Sequence, residues 1–124
     1  MTERPRTFLT TPIYYAPGAP HIGHAYTTIL ADVLARFARQ DGHDVLFLTG
    51  TDEHGPKIEQ EAASRGVTPQ ELCDTMAARF SAAWEGLGIS HDRFIRTTED
   101  EHKAVGTAFL QRLWERDQIH PGTH

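Results

Sequence analysis

The spacing of apolar and polar positions divides the chain into alternating strands and helices. Residues 7–11 read as a short strand, and Pro12 ends its ladder because proline has no amide proton to donate. Pro17, Gly18 and Pro20 make residues 13–20 a loop. From His21 onward, Ile22, Tyr26, Ile29, Leu30, Val33, Leu34 and Phe37 recur at the three- and four-residue steps of one helical face, and Gly42 stops that helix. Val45-Leu46-Phe47-Leu48 is a continuous apolar run between Asp44 and Gly50, the pattern of a strand buried on both faces of a parallel sheet. Strand, helix and strand of these lengths form a βαβ unit, so the first half of the chain is α/β.

After a loop at 50–55, a polar helix is expected over 56–65, ending at Gly66. Thr68, Pro69 and Glu71 supply an N-cap, an N1 proline and the N3 acid of a capping box. Leu72, Met76, Phe80, Trp84 and Leu87 then continue as an apolar stripe up to Gly88. Residues 93–97 read as a short strand, and a second capping box, Thr98 with Glu101, opens a helix that carries Val105, Phe109 and Leu113. The aromatic and methionine positions of these helices read as core. No internal repeat, low-complexity run or linker interrupts the pattern, which predicts a single α/β domain over residues 1–124.

Composition agrees with that picture and narrows it. With 124 residues, 39% hydrophobic and 23% charged, the chain suits one compact domain with one core. The single cysteine, Cys73, excludes an internal disulfide and any Cys-x-x-Cys site, and with nothing activating beside it reads as an inert thiol. Thr7, Thr10, Thr11 and Pro12 break up the start of the chain as a leader peptide, and no stretch approaches the ~20 apolar residues of a membrane helix. The expectation is a cytoplasmic chain with no membrane contact. A formal charge of −5 lacks the basic footprint of a nucleic-acid surface, so this segment is not expected to be a main docking site for one. Of the eight histidines, His91, His102, His120 and His124 share no spacing and read as surface residues.

Chemistry gathers at two places. In an open parallel sheet, ligands bind outside the carboxyl ends of the strands, where helix N-termini and their unpaired amides converge. His21-Ile22-Gly23-His24 follows the first strand, and Gly50-Thr51-Asp52-Glu53-His54-Gly55 follows the second. Two imidazoles three residues apart at a helix start project to one side and can donate hydrogen bonds to phosphate charge, while Gly23 lets a flat base or a phosphate come close. The loop is no Walker motif, since neither glycine-rich fingerprint occurs. Asp52 could pair with a ligand ammonium, and Tyr15 with Ile13 could wall an apolar pocket. Taken alone, the histidines are equally compatible with a solvated helix start, and Asp52 with a turn residue bonding its own backbone. His21, His24, Asp52 and His54 would make a nitrogen and oxygen ligand set. Helical histidines that share a zinc are usually four apart, however, and no metal site is expected.

The tetrad, the preceding run Thr11-Pro12-Ile13-Tyr14-Tyr15 with Gly18 and Pro20, and the later run Thr49-Gly50-Thr51-Asp52-Glu53-His54-Gly55 together resemble the N-terminal end of methionyl-tRNA synthetases. These are class I aminoacyl-tRNA synthetases with a His-x-Gly-His signature, and the similarity runs from about residue 7 to about residue 122. The resemblance implies a Rossmann-like parallel sheet with flanking helices, the first half of a nucleotide-binding domain. It implies ATP-dependent activation of methionine and its transfer to tRNA. His21 and His24 would be catalytic and contact the ATP phosphates, with Gly23 beside the adenine. Asp52 would bind the methionine amino group, Ile13 would offer a backbone carbonyl, Tyr15 would help form the thioether pocket, and His54 is a supporting candidate behind them. ATP with Mg2+ is the implied cosubstrate, no zinc site belongs to this segment, and methionine, ATP and tRNA are the implied partners. Family members are several times longer. This segment lacks their zinc-bearing insertion, the Lys-Met-Ser-Lys-Ser loop, the second half of the nucleotide fold and the anticodon-binding helices. The chain alone is therefore expected to be inactive, needing a complementary chain or segment that carries the missing half. Two rival readings are a truncated paralogue or split-enzyme subunit that only binds nucleotide or methionine, and a small nucleotidylyltransferase using the same tetrad. The residues around Tyr15 and Asp52 point to an amino acid and disfavour the second.

Overall fold

The computed structural model describes residues 4–122, so His124 lies outside the described residues. The elements are β1 (Arg6–Thr10), β2 (Tyr14–Tyr15), α1 (Ile22–Gln40), β3 (Asp44–Asp52), α2 (Pro56–Arg65), α3 (Pro69–Gly86), β4 (Arg93–Arg96) and α4 (Asp100–Trp114). Every strand pair is parallel. Leu48 of β3 pairs with both Thr10 and Arg93, and Thr51 pairs with both Tyr14 and Arg96. β4 therefore takes one edge of β3, while β1 and β2 follow each other along the opposite edge, separated where Pro12 interrupts the ladder. The order β4-β3-β1 is the first half of a doubly wound sheet, the expected Rossmann-like architecture with flanking helices.

β3 is longer than its apolar run indicates. Pairing continues through Gly50, Thr51 and Asp52, which draws Tyr14 and Tyr15 out of the expected loop and into the sheet. Gly50 permits this, because a Cβ there would lie 2.0 Å from the carbonyl oxygen of Ile95 on β4. The expectation that residues 45–48 are buried on both faces is corrected. Phe47 alone of the four is fully buried, while Leu46 and its neighbour Phe8 on β1 stand exposed.

α1 packs against β1 and β3, but not through its apolar stripe. Ile22, Tyr26, Ile29, Leu30, Val33, Leu34 and Phe37 remain between 42% and 85% exposed. The buried side carries Thr28, Asp32 and Ala35, spaced four and three residues apart as one helical face. Its polar groups are satisfied. The Thr28 hydroxyl lies 2.7 Å from the Tyr14 hydroxyl and donates to the His24 carbonyl oxygen. Asp32 accepts from the Ser90 amide at 2.7 Å, the Ser90 hydroxyl at 2.6 Å and Arg36 Nε at 2.7 Å.

α3 follows its pattern. The Thr68 side chain accepts from the Glu71 amide and the Glu71 carboxylate accepts from the Thr68 amide, closing the expected capping box. Leu72, Met76, Phe80 and Trp84 are no more than 2% exposed, each worth about 1.5–3 kcal/mol on burial. Leu87 is the C-cap and stays exposed, so the stripe stops one turn earlier than expected. One cluster gathers Ala16, Ile58, Ala62, Leu72, Cys73 and Met76, and a second gathers Tyr14, Phe80 and Trp84. The second expected capping box does not form. Glu99 is the N-cap of α4 without a side-chain bond, because the Thr98 hydroxyl donates to Glu53 instead. Val105 and Phe109 are exposed, and α4 buries no residue. No helix among the described residues is long and apolar enough to cross a membrane.

Candidate active site

The neighbouring parallel strands bring the two polar loops to the same end of the sheet, as the sequence reading requires. His21 is not inside the first turn of α1 but is its N-cap, with extended backbone, and His24 is residue N3. The pair builds a capping box from imidazoles: His21 Nδ1 accepts from the Gly23 amide at 3.1 Å, and His24 Nδ1 accepts from the His21 amide at 3.3 Å. A nitrogen that accepts an amide proton carries none itself, so each neutral ring holds its proton on Nε2. The rings stack with centroids 3.7 Å apart and planes at 26°. Two cationic rings at that distance would repel. Partial burial and the neighbouring charge of His21 both push the His24 imidazole below its ordinary pKa. With each Nδ1 taken up as an acceptor, the pair presents two Nε2–H donors at the positive pole of a long helix.

Gly23 has a local role beyond leaving room for a ligand. A Cβ there would approach His21 Cε1 to 2.9 Å, displacing the ring that caps the helix. Beneath His24 lies an aromatic bed that sequence spacing did not reveal. The Tyr14 ring centroid is 4.7 Å and the Phe80 centroid 5.2 Å from that of His24, and Tyr14 stacks on Phe80 at 5.4 Å. Tyr14 adds hydroxyl contacts to Thr28 and to the His24 carbonyl oxygen.

β2 joins the histidines to the second loop. Tyr14 touches His24, while Tyr15 pairs in register with Asp52, and the Ala16 amide donates to the Asp52 carbonyl oxygen at 3.0 Å. Tyr15 leans over the turn into α2, where a Cβ on Gly55 would be 3.0 Å from the Tyr15 hydroxyl oxygen, and Gly55 has φ +122°. Asp52 is half-buried, and its carboxylate accepts no hydrogen bond from the described residues. Ile13 is exposed at the break between β1 and β2. His54 is exposed but anchored, its Nε2 lying 3.0 Å from the Thr97 carbonyl oxygen. Tyr15, Asp52 and Gly55 thus form one group, and Tyr14, His21 and His24 another, linked through the successive residues Tyr14 and Tyr15 of β2. Among the described residues, no group of three or more His, Cys, Asp or Glu is placed to hold a metal ion.

Between Asp52 and His54, Glu53 turns the other way. Its side chain is fully enclosed and receives Arg96, Thr51 and Thr98. Burial would raise its carboxyl; those hydrogen bonds and the Arg96 charge outweigh it and hold the group below its ordinary pKa. Sequence reasoning passed over Glu53, although strand alternation carries a signal. If Asp52 faces the crevice, Thr51 and Glu53 face the opposite side. Cys73 is buried against the Glu53 carbonyl oxygen, and burial followed by the Glu53 charge pushes its thiol up.

Residues 7–124 match the family model for tRNA synthetases class I (M). The methionine-tRNA ligase of Thermosynechococcus vestitus is 55% identical over 118 residues, covering 95% of this chain and 22% of the relative. That of Nostoc is 52% identical, with 94% of this chain and 22% of the relative covered. The Mycobacterium tuberculosis methionyl-tRNA synthetase in complex with methionyl-adenylate superposes with a TM-score of 0.86 at 44% identity, covering 91% of this chain and 22% of that one. The chain spans about a fifth of the length of the relatives it matches.

Proposed function

This chain belongs to the class I (M) tRNA synthetases, and we propose that it supplies the first half of an ATP-dependent methionine-activating site, with the tRNA-charging reaction completed by a companion segment. In this reading the methionine carboxylate attacks the α-phosphorus of ATP and pyrophosphate leaves. The methionyl group then passes from the adenylate to a terminal ribose hydroxyl of tRNA. No covalent enzyme intermediate is needed, so the work of the protein is positioning and charge stabilisation.

The observation that carries the reading is the stacked His21–His24 pair, with both Nε2–H donors set by the capping bonds and Asp52 across β2 at the same sheet end. The two donors meet the negative charge that grows on the phosphate oxygens. Gly23 leaves space for the adenine. The Asp52 carboxylate, unengaged among the described residues, takes the methionine ammonium, with the Ile13 carbonyl nearby and the Tyr15 ring walling the thioether. His54 holds the turn behind Asp52 through Thr97. Mg2+ would enter with the ATP phosphates, and no step is assigned to it. The companion segment supplies the remaining phosphate contacts and covers the apolar side of α1. Such a reaction belongs to the cytoplasm.

Calorimetric titration of the chain with a non-hydrolysable methionyl-adenylate analogue tests the reading, and saturable binding is expected. No heat of binding at about millimolar ligand, roughly −4 kcal/mol of affinity, would overturn it. In a full-length enzyme bearing this segment, His24→Ala is expected to lower methionine-dependent pyrophosphate exchange by about 10²–10³. A change within about threefold, well under one kcal/mol of barrier, would remove His24 from its role.

A further inference from the structure

The mechanism above makes no use of Glu53, the most heavily bonded carboxylate in the site. Its side chain has no exposed surface. Arg96 donates to it through Nε at 2.8 Å and Nη2 at 3.0 Å, a two-pronged contact that fixes orientation as well as distance. The Thr51 hydroxyl donates at 2.7 Å and the Thr98 hydroxyl caps the second oxygen. The Glu53 amide itself donates to the Thr97 hydroxyl at 2.9 Å. The same Arg96 Nη2 also donates to Asp74 of α3 at 2.6 Å. The end of β3 is thereby clamped to the end of β4 and to α3 by a chain of charges that no adjacent sequence position suggests.

A buried ion pair is poor evidence of stability, since desolvating two charges consumes most of what their attraction returns; fixing a geometry is its better-attested use. The geometry at stake here is that of Asp52. Thr51 and Glu53 are bonded on the inner side and His54 is tied to the Thr97 carbonyl oxygen, whereas the Asp52 carboxylate between them is unengaged among the described residues. Successive side chains of a strand point to opposite sides, so a rotation of the backbone that released Glu53 would swing Asp52 out of the crevice. We propose that Glu53, gripped by Arg96, is a positioning residue that aims the Asp52 carboxylate at the ammonium group of the bound amino acid. Selectivity for the amino end of the ligand then depends on an ion pair the ligand never touches. The inference deepens the proposed function and rests on its assignment of Asp52.

Two measurements on the 124-residue chain test it. In calorimetric titrations, Glu53→Gln is expected to weaken a methionyl-adenylate analogue by about tenfold or more. The desamino counterpart, with hydrogen in place of the α-amino group, should keep its affinity within about twofold. Arg96→Lys keeps the charge and gives up the fork, and is expected to weaken the analogue in the same selective way. Equal weakening of both probes, or of neither, would overturn the proposal. The second measurement needs no ligand. Amide hydrogen exchange at residues 52–54 should accelerate in Glu53→Gln by about tenfold or more, while the amides of Phe47 and α1 keep their rates. Unchanged exchange at 52–54, or a uniform rise across the chain, would likewise overturn it. Asp52→Asn separates the two claims: if that variant binds the analogue as tightly as the parent, the assignment of Asp52 fails and the exchange rates alone decide on Glu53.

Discussion

α1 and α3 carry similar apolar stripes at helical spacing and meet opposite fates. Leu72, Met76, Phe80 and Trp84 of α3 are sealed against α2, Ala16 and Tyr14, whereas the apolar stripe of α1 from Ile22 to Phe37 faces outward. α1 is held instead by the side that reads as polar, through Thr28, Asp32 and Ala35. Periodicity reports that a face is suited to burial, without saying what buries it. For α3 the cover lies within this chain. For α1, no described residue supplies it.

Three experiments would break or sharpen that contrast. The largest effect is expected from Phe80→Ala, which removes a fully buried ring from beneath His24 and should cost about 3–5 kcal/mol in urea unfolding. A loss below about 1 kcal/mol would deny α3 its place in the core.

Acid should act on the polar side of α1. Burial would raise the Asp32 carboxyl, but the hydrogen bonds from Ser90 and Arg36 with the Arg36 charge outweigh it and hold the group low. A carboxyl depressed in the folded state stabilises above its unfolded value of about 3.9, and that contribution is lost as pH falls through the lower folded value. Asp32→Asn should therefore melt below the parent at neutral pH, and the gap should narrow once pH drops past about 4. A gap that stays constant down to pH of about 3 would mean the charge plays no part.

The smallest effect is expected on the outward face. Val33→Gln should change stability by no more than about 0.5 kcal/mol, read in the same urea titration. A loss above about 2 kcal/mol would show that face to be covered in the isolated chain.

The legible parts of the molecule are those fixed by nearby residues. The βαβ order, the Thr68–Glu71 box and the α3 core all follow from patterns within a turn or two of helix, and the tetrad from residue types set at a strand-to-helix junction. Capping by His21 and His24 escaped notice because imidazole is not among the usual N-cap side chains. The Thr98–Glu101 box failed for a tertiary reason: the hydroxyl that would have capped α4 is taken by Glu53, which lies 45 positions earlier. The Glu53–Arg96 pair spans 43 positions, a separation to which periodicity is blind. The candidate site residues legible from the sequence are therefore those gathered at the strand ends, and the illegible contacts are the long-range ones, such as Glu53 with Arg96, that pack beside them.

The imidazole capping box also bears on how substitutions at the tetrad are to be interpreted. Each ring gives one nitrogen to the backbone and leaves the other for the phosphate contact proposed above, so in that reading the start of the helix and the binding surface are a single object. Alanine at position 21 deletes both functions, and lost activity in such a variant confounds a frayed first turn with a missing donor. Asparagine there would restore a side-chain acceptor for the backbone without restoring the ring. Comparing the two substitutions would apportion the loss between architecture and chemistry, a partition that neither variant can provide alone.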